Sequence, residues 1–346
     1  MPLLKTPTRT NKTEAGYHVR VIAVLEKYGV EAQKDWDLNP KDFLNWLEAY
    51  RDKVSKASWR QIRAALVWFM KNIESECDLS AEILAIDTDT CSEAINTSAK
   101  KKKSISDKEK VALEVELLSS HDKFIAGGGD ETDSVALNTL LYLLATEITG
   151  LRPSEWWGAK IVDTKNLDVD EIEAQKKDLK SIDTITLVVE NGKATNGRAF
   201  GSHRTIKLKN LSPERKFALE AHYRSVKKHS SLEAFEGYYK SCADRMTYTT
   251  RKLWPHRKKY PTLYSGRHQF SANLKREDTA LKVIAALMGH GTDRTATEHY
   301  GRKNFGRSKG YDIEADQDDI NQIHETAKPR YSDKIASQKK NMPNIG

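Results

Sequence analysis

Gly289-His290-Gly291-Thr292-Asp293-Arg294-Thr295-Ala296-Thr297-Glu298-His299-Tyr300-Gly301-Arg302 sets a histidine ten residues ahead of a tyrosine near the end of the chain. Two earlier stretches each supply an arginine: Thr149-Gly150-Leu151-Arg152-Pro153-Ser154-Glu155 and Tyr264-Ser265-Gly266-Arg267-His268-Gln269-Phe270. A guanidinium grips two phosphate oxygens at once and never loses its proton. Arg152 and Arg267 would therefore hold a phosphodiester from two sides. In-line attack piles charge on the non-bridging oxygens, and two fixed cations can stabilise that charge without a metal. Tyr300 is the candidate nucleophile, and His290 would bond the phosphate or help move the tyrosine proton. Glu155, three residues after Arg152, reads as a carboxylate that orients that guanidinium across a helical turn. Taken singly, each arginine is a salt-bridge partner, His290 a structural histidine and Tyr300 one of 13 tyrosines. The motifs in series are what favour the chemical reading.

Upstream of Arg152, Val135, Leu137, Leu140, Leu141, Leu143 and Leu144 predict a buried helix. Downstream, Thr184 to Glu190 and His203 to Leu208 alternate and are β-branched, which predicts two strands. The polar turn between them, 191–202, carries Lys193 and Arg198. Helices are expected over 212–229 and 231–252.

The N-terminal part, from residue 13 to about 95, reads as helices. Pro40 follows Asn39 as a first-turn proline follows its cap, with Phe43, Trp46, Leu47 and Tyr50 on one face. Trp59, Ile62, Leu66, Phe69, Met70 and Ile73 form the next apolar stripe. Lys56, Arg60, Arg63 and Lys71 lie on its other side, either solvated or laid along phosphates. Asn96 to Ala99 and the run Lys100, Lys101, Lys102 and Lys103 read as an exposed linker. The domain expectation is a helical unit over 1–95, a linker over 96–105, a second domain over 106–310 and a polar tail over 311–346. The fold class is mainly α with a small antiparallel β-sheet.

With 346 residues, the chain has room for two cores. A net charge of +8 makes an anionic partner plausible, but charge alone is weak support. Cys77, Cys91 and Cys242 have no metal-ligand spacing, so no metal or other cofactor is expected. No apolar run approaches the roughly 18 residues of a membrane span, and the N-terminus lacks a signal-like apolar region. Those features lead us to expect an intracellular protein.

Together the three motifs resemble the tyrosine recombinase (phage integrase) family, of the mobile-element type, in the family's order and at about its separations. The resemblance is specific over 146–158 and 262–302, fair over 184–208 and only architectural over 13–95. It implies Arg152, Lys193, Tyr264, Arg267, His290 and Tyr300 as the catalytic set. Lys193 would be the general acid that protonates the departing 5′ oxygen. It implies a two-domain DNA clamp, with a helical core-binding domain and a catalytic domain on opposite faces of double-stranded DNA. Arg60, Arg63, Lys100 to Lys103 and Arg198 are the expected phosphate contacts. A homotetramer would exchange strands between two recombination sites through a 3′-phosphotyrosyl intermediate, with the tail docked on a neighbouring subunit. A bacterial cytoplasmic, nucleoid-associated setting goes with that activity. The sequence departs from the family at Tyr264, where a histidine is usual; a phenol can donate a hydrogen bond but is a poorer base near neutral pH. His268 is expected to point elsewhere. Two rival readings stand beside this one: relaxation of DNA as by a type IB topoisomerase, and a catalytically impaired accessory protein that only binds DNA.

Overall fold

A computed structural model describes residues 11–37, 39–74, 77–87, 90–92, 101–162, 184–192, 200–295 and 300–324. It divides into two compact units, Met1–Lys100 and Lys101–Gly346. No helix among the described residues is long and apolar enough to cross a membrane.

The first unit is helical: α1 (Asn11–Ala32), α2 (Pro40–Lys53), α3 (Lys56–Asn72) and the short α4 (Ser80–Ala85). Pro40 opens α2 as expected, whereas Asn39 occupies the cap position without a side-chain hydrogen bond. Ser55 caps α3 by accepting from the Ser58 N–H at 2.9 Å. Phe43, Leu47, Trp59, Ile62, Leu66 and Met70 are buried in one core with Val21, Val24 and Tyr28 of α1. Ile73, read as the end of the α3 stripe, is instead 54% exposed, because α3 ends at Asn72.

The second unit begins before the expected boundary. Lys101 bridges Tyr260, the Lys102 N–H donates to the Tyr260 carbonyl at 2.8 Å, and Ile105 is buried. The supposed linker is thus structured from residue 101, because its backbone is paired and Ile105 supplies an apolar anchor. Next comes α5 (Asp107–Ala126), whose capping box joins Ser106 and Glu109. The apolar run forms α6 (Val135–Thr149), with Leu140, Leu141 and Leu143 buried and Val135 exposed. Each fully buried leucine contributes about 1.5–3 kcal/mol. A short α7 (Glu155–Gly158) follows the Arg152 turn.

A four-stranded antiparallel sheet comes next: β1 (Lys160–Val162), β2 (Ile185–Glu190), β3 (His203–Lys209) and, much later, β4 (Asp312–Ala315), in that spatial order. Glu190 pairs with His203 and Val189 with Arg204, so β2 and β3 form the expected hairpin. Then α8 (Pro213–Lys227), α9 (Leu232–Leu253), α10 (Leu263–Arg276) and α11 (Leu281–Leu287) complete the helical body. Helix α6 packs against α5, α8, α9 and α10, which accounts for its apolar character on most sides.

The expected tail does not begin at 311. Tyr311 is buried and its hydroxyl donates to the Ile148 carbonyl at 2.8 Å. β4 pairs with β3, and α12 (Gln317–Asn321) brings Asp319 to accept from the Thr205 N–H at 2.8 Å. The His324 N–H reaches the Gly291 carbonyl at 3.1 Å. The apolar residues that would anchor such a tail to a neighbour, Tyr311, Ile313, Ile320 and Ile323, pack within their own unit. Residues 325–346 lie outside the described residues.

Candidate active site

Three stretches far apart in sequence converge on one carboxylate. Leu151–Ser154 turns out of α6, and Glu155 begins α7 with its side chain fully buried. Its Oε2 accepts the Arg152 backbone N–H at 2.7 Å, and its Oε1 pairs with the Arg152 guanidinium. Glu155 therefore orients Arg152, but it holds more than that. Arg204 of β3 donates to Oε2 at 2.8 Å and to Oε1 at 3.3 Å, and Arg267 of α10 lies 3.6 Å away. Burial raises the carboxyl's pKa, but Arg204, Arg267 and Arg152 outweigh it and hold the group far below the ordinary carboxylate range.

Arg267 is completely buried. Its Nη1 donates to the Gly150 carbonyl, its Nη2 to the Met288 carbonyl at 2.7 Å and to His290 Nε2 at 3.1 Å. Its Nε points at the Tyr300 hydroxyl, 3.2 Å away. Arg267 thus does not face Arg152 across an open cleft. Both cations share Glu155, and Arg267 commits its donors to the backbone, His290 and Tyr300. Arg152 is 7% exposed, and its Nη2 has only a 3.5 Å contact with the Gly289 carbonyl. Its Nε has no acceptor among the described residues.

Burial first, then Arg267, Arg152 and Arg204, push the His290 pKa far down, so its imidazole is neutral. Because Nε2 accepts from Arg267, the ring proton belongs on Nδ1. That buried N–H has no acceptor among the described residues. The His290 ring lies 4.9 Å from the Tyr300 ring.

Tyr300 is 9% exposed. Burial raises its pKa, but Arg267, the Tyr264 hydrogen bond and Arg152 lower it further, for a net downward shift. Tyr264 shifts the other way: burial carries it to about 12. The hydroxyls are 3.1 Å apart, so a Tyr300 phenolate would accept from the Tyr264 hydroxyl. Gly301 places Tyr300 here, since a Cβ on it would stand 2.4 Å from the His268 carbonyl oxygen.

His268 departs from expectation. Its ring packs 5.0 Å from the Tyr300 ring and 5.2 Å from that of Tyr264, because one residue past Arg267 on α10 still borders the site. Burial and then Lys103, Arg267 and Lys275 lower its pKa to about 4. Lys103 is thus close enough to act on the site through its charge.

The expected DNA contacts divide. Arg60 and Lys101 are exposed. Arg63 is half-buried and donates to the Ile86 carbonyl at 3.1 Å, so it ties α3 to the end of α4. Lys102 pairs with buried Glu109 at 2.6 Å and helps hold the start of α5. Lys193, Arg198 and Lys100 lie outside the described residues. Arg204 was missed. Its signal was its parity: it alternates with Ile206 and Leu208, so in a strand it must face inward.

Neither a scan of family models nor a search of curated proteins finds a match for this chain.

Proposed function

We propose that this protein cuts and rejoins double-stranded DNA as a site-specific recombinase of the tyrosine type, integrating or excising a mobile element. One observation carries the proposal. Three buried guanidiniums, those of Arg152, Arg204 and Arg267, surround one carboxylate, Glu155, beside a tyrosine hydroxyl. Burying unbalanced charge is costly, and among the described residues two positive charges are left over. A phenolate on Tyr300 and one phosphodiester would balance them.

In this reading Arg152, the cation with donor capacity toward the outside, takes non-bridging oxygens, and the His290 Nδ1–H supplies a further donor. Arg267 favours the Tyr300 phenolate, which attacks phosphorus. The P–O bond to the 5′ oxygen breaks, leaving a 3′-phosphotyrosine and a 5′-hydroxyl once that oxygen takes a proton. Lys193 is the proposed donor, by resemblance alone. The ester retains the phosphodiester's energy, so attack by a 5′-hydroxyl reverses the step. The first unit would complete a clamp on the duplex, with a homotetramer joining two sites.

The test is to incubate the protein with DNA from its source in EDTA, quench in SDS and map protein-linked ends. Discrete 3′-linked ends, absent for Tyr300→Phe, would support cleavage, and joining between two sites would distinguish recombination from relaxation. Specific binding without linkage would favour the accessory-protein reading.

A further inference from the structure

We propose that Arg204 is a positioning residue that sets the direction of the Arg152 guanidinium by tying three separate segments to Glu155. This rests on the recombinase reading and assigns a role to a residue that would not itself meet the DNA. Arg204 is 1% exposed on the inward face of β3, opposite Val189. Its Nε donates to the Leu287 carbonyl at 3.0 Å, at the end of α11 just before the His290 turn. Nη1 donates to Asn191 Oδ1 at 2.6 Å, and both Nη atoms reach Glu155. Asn191 in turn closes the hairpin, donating from Nδ2 to the Phe200 carbonyl at 2.7 Å and to that of His203 at 3.2 Å. No hydrogen bond or ion pair among the described residues joins Arg204 to Tyr300 or Tyr264.

The geometry needs an arginine. Its planar fork reaches acceptors on α7, the hairpin and the α11 terminus together, which a lysine's single ammonium cannot. The fit is tight, for Gly289 has φ +63° and a Cβ there would stand 2.7 Å from Arg204 Nη1. Arg204 also shares the carboxylate that Arg152 uses. Without it, Glu155 would draw Arg152 and Arg267 inward, and the outward donors of Arg152 would turn from the phosphate.

The test uses the full chain with R204M, R204K, R152A, E155Q and E155Q/R204M, each checked by thermal unfolding. Duplexes carrying a mapped cleavage site bear either a phosphate or a neutral methylphosphonate at the scissile position. R204M should cut saturating phosphate duplex roughly 100-fold more slowly. Its DNA affinity should stay within about threefold, since many other phosphate contacts supply affinity. R204K should remain slow. The methylphosphonate, lacking one charged oxygen, should narrow the deficit of R204M and R152A alike. E155Q/R204M should be no slower than E155Q alone, because Arg204 acts through that carboxylate.

Wild-type rates in R204M, a deficit that the methylphosphonate leaves unreduced, or R204M and E155Q losses that simply multiply, would overturn the proposal. Calorimetric titration with tungstate, a tetrahedral oxyanion, reads the clamp without cleavage. R204M should bind it at least about tenfold more weakly than wild type, and equal affinities would overturn the positioning role. Wild type that binds tungstate but cuts no DNA would refute the recombinase reading and leave the tungstate comparison to decide on Arg204. Wild type that does neither would overturn both. If R204M does not fold, R204K carries both arms.

Discussion

The hydroxyl of Tyr264 stands 3.1 Å from that of Tyr300, and their proton affinities diverge: burial carries Tyr264 to about 12, while Arg267 and Tyr264 bring Tyr300 down. One phenol is thereby set to donate and the other to become the phenolate. In the proposed mechanism the Tyr264 phenol serves as a hydrogen-bond donor to the nucleophile.

Tyr264→Phe removes that donor and raises the pKa of Tyr300. Phenolate forms above that pKa, so the rise of cleavage rate with pH should move to higher pH. At pH 7 the rate should fall about tenfold, the equivalent of one pKa unit, and the deficit should shrink in alkali. Single-turnover cleavage against pH checks this; a deficit constant across pH would contradict it.

Arg152→Ala should slow strand cleavage about 100- to 1000-fold, the usual loss for a group aimed at developing charge. DNA affinity should change far less. Filter binding beside single-turnover cleavage separates the two effects.

Gly301→Ala puts a methyl group 2.4 Å from a backbone oxygen of His268. Backbone must shift, at a cost of about 1–3 kcal/mol, and Tyr300 moves with it. Denaturant unfolding should show the destabilisation, and adduct yield should drop by more than stability alone accounts for.

Glu109 is buried, yet Lys102, Ser106 and Arg257 overcome that burial and lower its pKa to about 2. Because the folded value is depressed, the stabilisation is complete above the unfolded carboxyl's pKa of about 4.3 and fades as pH falls toward 2. Glu109→Gln should cost about 2 kcal/mol near pH 7, a figure reduced for partial screening by solvent. Unfolding free energies at neutral and acid pH should show the difference between variant and wild type vanish in acid.

Much of this was legible in local pattern. The α6 run, the β2–β3 alternation and the start of α2 at Pro40 are set by neighbours in sequence, and periodicity reports them. Arg152, Glu155, Arg267, His290 and Tyr300 were singled out by motif, and the structure brings all five together. The failures are non-local. Nothing near residues 101–105 or 311–324 announces partners such as Tyr260, Ile148 and β3, so one stretch reads as an exposed linker and the other as a tail for a neighbouring subunit, when both are built into their own unit. Arg204 could have been found by strand parity, but its partners on α7, the hairpin and α11 are 49, 13 and 83 residues away. Arg63 and Lys102 show the limit of counting cations, since their partners are Ile86 and Glu109 of their own chain.

The most direct measurement is mass spectrometry of the covalent complex. DNA from the source is cut in EDTA, trapped in SDS, trimmed with nuclease and the protein digested. Tyr300 should carry a nucleotide 3′-phosphate and Tyr264 none. A nucleotide on Tyr264, or no modified tyrosine although the DNA is cut, would contradict Tyr300 as the nucleophile.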